Sequence, residues 1–169
     1  MDIGKIVQIN AKNKVDGERG IPKQRVENTI LRSGGLEGDY NVHRREKSDN
    51  DNDMAVLIMT VDRIRELREL GWDVQYGHLG ENFTIDKVSY NFFELGKRYS
   101  FGKEAIVEIS RASTPCKNLS VLPYVGEDRL KIFQQALLGR RGWYARVIQE
   151  GQVFTGDEVK VLEKKVGGL

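Results

Sequence analysis

A chain of 169 residues with 27 basic and 25 acidic side chains carries a net charge of +2, too balanced for nucleic-acid binding by bulk electrostatics. One cysteine excludes an internal disulfide framework, and no apolar run reaches the length of a membrane span. The length suits a single domain over residues 1–169 that buries about 70% of its unfolded surface. Met1 to Val7 lacks the basic-then-apolar order of a secretory signal, so a cytoplasmic protein with neither a membrane nor a nucleic-acid partner is expected.

Eighteen glycines and many short alternating apolar runs predict a sheet-rich fold with tight turns. Ile3 to Ile9 reads as a first strand. Lys23 to Arg32 reads as a second extended run, because Val26, Thr29, Ile30 and Leu31 favour a strand over a helix. In the stretch Ser33 to Tyr40, Gly34, Gly35 and Gly38 make the backbone turn tightly or approach something closely. The chain contains neither a Walker A motif nor a dinucleotide fingerprint. Arg44 to Asp53 holds no apolar residue, which predicts a solvated loop. Asp49, Asp51 and Asp53 are spaced like the start of a calcium loop, but Met54 stands where Gly is needed and Thr60 where Glu is needed. His43, just before this loop, is open to a structural or a functional reading.

Met54 to Met59 is an apolar run of strand length, and Thr60 then caps a helix whose Val61, Ile64, Leu67 and Leu70 form one stripe before Gly71 ends it. Gly77 to Thr84 is a second Gly-bracketed polar cluster. Glu81 and Asn82 there either fix a turn and strand register or bind a ligand. Leu95 to Phe101 and Ala105 to Ile109 form a hairpin around Gly102-Lys103. Glu127 to Leu138 reads as an amphipathic helix ended by Gly139, and Trp143 to Ile148 with Glu158 to Leu162 supply the last strands.

The stretch from Thr114 to Asp157 carries the most chemistry. Thr114 can cap a short helix and Pro115 suits its first position, which would make Cys116 its second residue. Free N–H groups, the dipole and the neighbouring Lys117 would favour a thiolate, the form that attacks sulfur or ligates a soft metal. A lone cysteine is more often a small buried hydrophobe, so on local grounds both readings stand. The pairs Arg44-Arg45, Arg140-Arg141 and Lys164-Lys165 read on spacing alone as solvated faces.

Taken in order, Gly35-Leu36-Glu37-Gly38-Asp39 with a following His43, Gly80-Glu81-Asn82, Pro115-Cys116, Gly142-Trp143-Tyr144-Ala145-Arg146-Val147 and Gly151 with Gly156-Asp157 resemble the molybdenum-cofactor sulfurase C-terminal domain family, MOSC. The resemblance implies a mainly β fold, a MOSC-like barrel with a few peripheral helices, and Cys116 at a pocket mouth. It also implies binding of the molybdenum cofactor or carriage of sulfur to it. The Trp-Tyr pair after Gly142 is similar to the standalone members, some of which reduce N-hydroxylated bases, and in that role Cys116 would ligate molybdenum. The histidine and basic contacts after Asp39 carry over only to His43, because a polar insertion follows it.

Residue chemistry agrees with that implication. A pterin dithiolene with a terminal phosphate needs a soft donor for its metal and cations for its anion. Cys116 supplies the first, and Lys117, Arg140, Arg141 and Arg146 are candidates for the second, with Glu81 and Asn82 as hydrogen-bonders to the pterin edge. No flavin, nicotinamide or iron–sulfur signature is visible, so a reductase of this type would take electrons from a partner protein. Two alternatives remain: a persulfide relay through Cys116 from a cysteine desulfurase, and a binding module in which Cys116 is inert.

Overall fold

The computed structural model describes residues 2–40 and 51–163. Strands β1 (Gly4–Ala11), β5 (Val56–Thr60), β6 (Phe83–Asp86), β7 (Arg98–Phe101), β8 (Ala105–Ala112), β9 (Trp143–Gln149) and β11 (Glu158–Leu162) form one sheet in the order β11-β7-β8-β9-β5-β6-β1. Pairing of Gly4 with Val159 and of Lys5 with Glu158 joins β1 back to β11, so the sheet closes into a seven-stranded barrel. Closure removes both sheet edges. Strand β2 (Gln24–Val26) extends β1, while β3 (Asn28–Arg32), β4 (Gly35–Leu36) and β10 (Gly151–Phe154) form a separate three-stranded sheet. Among the described residues there are two α-helices, α1 (Val61–Glu69) and α2 (Gly126–Ala136).

The Lys23 to Arg32 run is therefore two strands in different sheets, with the switch at Glu27. Glu27 keeps its carbonyl for Thr155, whose amide and hydroxyl both donate to it, and so it joins neither ladder. Strand β5 is buried on both faces because it lies between two cores. Val56 and Ile58 join Ile6, Phe83, Phe101 and Val107 inside the barrel, and Met59 points the other way to pack with Ile64, Leu67, Leu119 and Phe133. Its partner β6 is parallel to it, and α1 makes the crossover that parallel pairing requires. Thr60 is the N-terminal cap of α1 by position, but its hydroxyl donates to the Asp62 carboxylate rather than accepting a backbone N–H.

The ladder between β8 and β9 carries an irregularity between Ile109 and Arg111, where Ser110 Oγ donates to the Asp53 carbonyl. A bulge of this kind re-aims the following side chains. It sits directly before the segment that carries the cysteine.

Candidate functional site

Strand β8 hands the chain to residues 113–116 in extended form. The Ser113 amide donates to Gly142 O at 2.8 Å, which continues the contact with the β9 side past Ala112. The expected helix start is displaced: the helical turn is a 3-10 segment, Lys117–Val121, and Cys116 precedes it in extended conformation at φ −122° and ψ 162°. Leu119 and Leu122 anchor this turn in the second core against Phe133 of α2, and the half-buried Cys116 packs on the same cluster. Rigid neighbours on two sides thus hold the thiol.

Cys116 opens onto a pocket of about 230 Å³. Leu57, Met54 and Tyr144 form its apolar wall, while Arg141, Lys23 and Asn118 bring polar groups into it. Arg141 is only 5% exposed, and its Nε and Nη1 have no hydrogen-bond partner. Asn118 Oδ1 is buried and unpartnered in the same lining. An unmatched buried charge is costly, and a site that keeps one is arranged for something that is not protein. Arg111 stands at the exposed rim, with its guanidinium 5.9 Å from the Tyr144 ring centre and Nη2 3.4 Å from Asp51 Oδ2.

The two Gly-rich motifs meet behind this pocket. Asp39 accepts Lys23 Nζ on both oxygens, at 2.7 and 2.8 Å, and also accepts the Lys12 amide and Asn82 Nδ2. Asn82 Oδ1 in turn accepts the Leu57 amide at 3.0 Å, and the Asn82 amide donates to Leu57 O. Asn82 therefore works as a clamp between β1, β5 and the Asp39 turn. It does not line the pocket, contrary to the expected pterin contact, because its side-chain oxygen and nitrogen are both engaged in the scaffold.

Glu81 is fully buried just behind the pocket-lining Gly80. Its Oε1 has no hydrogen-bond partner, and Oε2 accepts Thr84 Oγ1 at 3.4 Å. Burial pushes its carboxyl up to about 7, against the opposing pull of nearby backbone N–H groups and of the Arg141 charge. Gly80 takes φ +85°, and a Cβ there would lie 2.9 Å from Ile21 Cγ2, so glycine is what lets the chain turn inward at this point.

The remaining predicted cations do not converge. Arg140 donates to Glu66 Oε2 and to Ala136 O, both at 2.9 Å, and ties α2 to α1 outside the pocket. Arg146 is held by Asp53 and Glu108. Lys117 is exposed and is not part of the lining. His43 and the two other basic pairs, Arg44-Arg45 and Lys164-Lys165, lie outside the described residues. Sequence reasoning missed Lys23, Arg111 and Asn118 as pocket residues. Lys23 gave no signal, since its burial depends on an aspartate sixteen residues away. Among the described residues no group of three or more His, Cys, Asp or Glu could hold a metal ion, and no helix is long and apolar enough to cross a membrane.

A closed barrel carries a thiol and a buried arginine on one pocket. The chain belongs to the MOSC domain family, whose match covers residues 39–160. It is 30% identical over 93 residues to a protein named reductase from Gibberella moniliformis and 31% identical over 90 residues to the uncharacterized protein YflK of Bacillus subtilis. These matches take in 52% and 53% of this chain, but only 15% and 39% of the relatives' own lengths. Among solved structures, YiiM from Geobacillus stearothermophilus superposes with a TM-score of 0.71 at 26% identity, covering 97% of this chain and 77% of that one. The YuaD protein of Bacillus subtilis superposes at 0.79 with 18% identity over 96% of this chain and 97% of that one, a likeness of fold.

Proposed function

We propose that this pocket binds the molybdenum cofactor, with Cys116 Sγ as the protein ligand to the metal and Arg141 as the cation for the cofactor phosphate. One observation carries the reading: a half-buried thiol and a buried guanidinium with two unpartnered nitrogens line the same pocket. The donor set fits the group. A thiolate is a soft ligand suited to a soft metal site, and a planar guanidinium fork suits a phosphate. Asn118 Oδ1 is an acceptor for an N–H on the pterin edge. Lys23 adds positive charge to the wall while its own charge is balanced by Asp39. A His43 contact rests on the family resemblance alone.

When bound, the cofactor would supply redox chemistry at the metal. The chain's own part is to hold the metal at Cys116, neutralise the anionic end at Arg141 and keep one face dry with Leu57, Met54 and Tyr144. The reductase name of the Gibberella relative, which this chain matches only in part, supports a reductive role. The reaction we favour is reduction of N-hydroxylated substrates with electrons from a partner protein.

The test is retention. Wild type and Cys116→Ala are incubated with released cofactor and desalted, and pterin and molybdenum are then assayed. Retention by wild type alone is the expected result. Equal retention by both would remove Cys116 from the metal, and none by either would redirect attention to a persulfide on Cys116, visible by intact mass.

A further inference from the structure

We propose that an oxyanion bound at Arg141 enters the pocket together with one proton, and that Glu81 is the group that accepts it. The inference rests on the anion role given to Arg141 above, but it needs neither molybdenum nor Cys116. Arg141 lines the pocket and Glu81 is buried behind the lining at Gly80, and each keeps orphaned atoms. Arg141 Nε and Nη1 lack partners, and Glu81 Oε1 lacks one as well, with Gly80 of the lining directly before it. The two side chains sense each other's charge, and those atoms do not hydrogen-bond to one another.

While Arg141 has no other counter-ion, its charge adds to the nearby backbone N–H groups in favouring the carboxylate form of Glu81. An oxyanion on the guanidinium cancels that effect and adds a negative charge on the pocket side of a carboxyl buried away from water. Protonation relieves the conflict: a proton from solvent forms an O–H bond on the Glu81 carboxylate, and no electron moves. The carboxyl is already poised for this near neutrality by its burial.

The other groups facing Glu81 do not compete for the proton. Tyr124 is held in its neutral form by burial and by the negative charges of Glu81 and Asp73. His78 accepts the Gln75 amide and meets the Tyr124 hydroxyl at 3.0 Å, and burial lowers its pKa. Lys23 and Asp39 offset each other.

Sulfate is the probe, because it carries the same charge throughout the neutral range. Calorimetric titration in two buffers of different ionisation heat counts the protons taken up on binding. We expect net uptake in wild type, with affinity falling roughly fivefold or more between about pH 6 and about pH 8. Glu81→Gln should bind with flat pH dependence and no uptake, and Arg141→Met should lose saturable binding. Uptake that persists in Glu81→Gln, or pH-independent sulfate binding by wild type, overturns the proposal. So does a wild type that binds no sulfate, and the separate retention assay then decides whether the cofactor reading falls with it. Should Glu81→Gln not fold, the wild-type proton count and the growth of a carboxylic-acid infrared band on adding sulfate decide the matter.

Discussion

Arg140 and Arg141 are adjacent in the chain and have different fates. Arg140 spans α1 and α2 through Glu66, whereas Arg141 turns inward, loses water and finds no partner for two of its nitrogens. A pair of arginines in a loop gives no period from which to choose between them, so the sequence nominated both. Glu81 and Asn82 show the same ambiguity resolved differently, one as a buried acid with one unpartnered oxygen and the other as a clamp. Replacing Asn82 with Ala leaves the Leu57 amide without its acceptor and should lower stability by about 1–3 kcal/mol in denaturant unfolding. Glu81 makes a pH prediction. Its carboxyl rises from 4.5 to about 7 on folding, so across that window the folded protein holds a proton that the unfolded chain has released. Stability should therefore fall as pH rises from about 4.5 to about 7, by up to roughly 3 kcal/mol, and level off above. Urea unfolding of wild type and Glu81→Gln across the window checks this, with the variant losing that part of the slope.

At the level of elements, the patterns that could be read were those with a local cause. The unbroken apolar run from Met54 to Met59 predicts a strand, and β5 forms over Val56–Thr60, buried on both faces. The hairpin around Gly102 and the two amphipathic helices follow from turn chemistry and spacing, and all three are present. What local reasoning could not show was which strands share a sheet. The division of the Lys23 to Arg32 run at Glu27 and the strand β10 are set by distant pairing partners, Thr155 among them. The helix expected to begin at Pro115 begins instead at Lys117, after the Ser113 bond to Gly142 has carried the extended chain past the end of β8. Gly142 is central to that arrangement: at φ +112° an added Cβ would lie 2.7 Å from Ile58 O, while the Gly142 amide meets the Tyr90 hydroxyl. Gly142→Ala should cost about 1–3 kcal/mol and loosen the segment that carries Cys116. Unfolding curves together with faster alkylation of Cys116 would register both effects, and an unchanged alkylation rate would separate Gly142 from the thiol's setting.

Across the whole molecule, the pocket sits where the barrel meets the second core, and its walls come from parts of the chain far apart in sequence. The Asp39 turn, the Gly80 turn, the end of β8 and the loop before β9 each contribute. Of the ordered motifs of the sequence, Gly80, Cys116 and Tyr144 line the pocket, and Asp39 and Asn82 brace the scaffold behind it. Asp39 is the joint of this frame. Asp39→Ala leaves Lys23 buried without its counter-ion and should cost about 3–5 kcal/mol in unfolding experiments.

In the proposed function the thiol and the buried arginine serve one bound cofactor. X-ray absorption at the molybdenum edge of cofactor-loaded protein tests it most directly, by comparing the sulfur neighbours of the metal in wild type and in Cys116→Ser. One sulfur more in wild type than in the variant is the predicted result, while equal sulfur counts in two loaded samples would contradict the assignment of Cys116 as the metal's protein ligand.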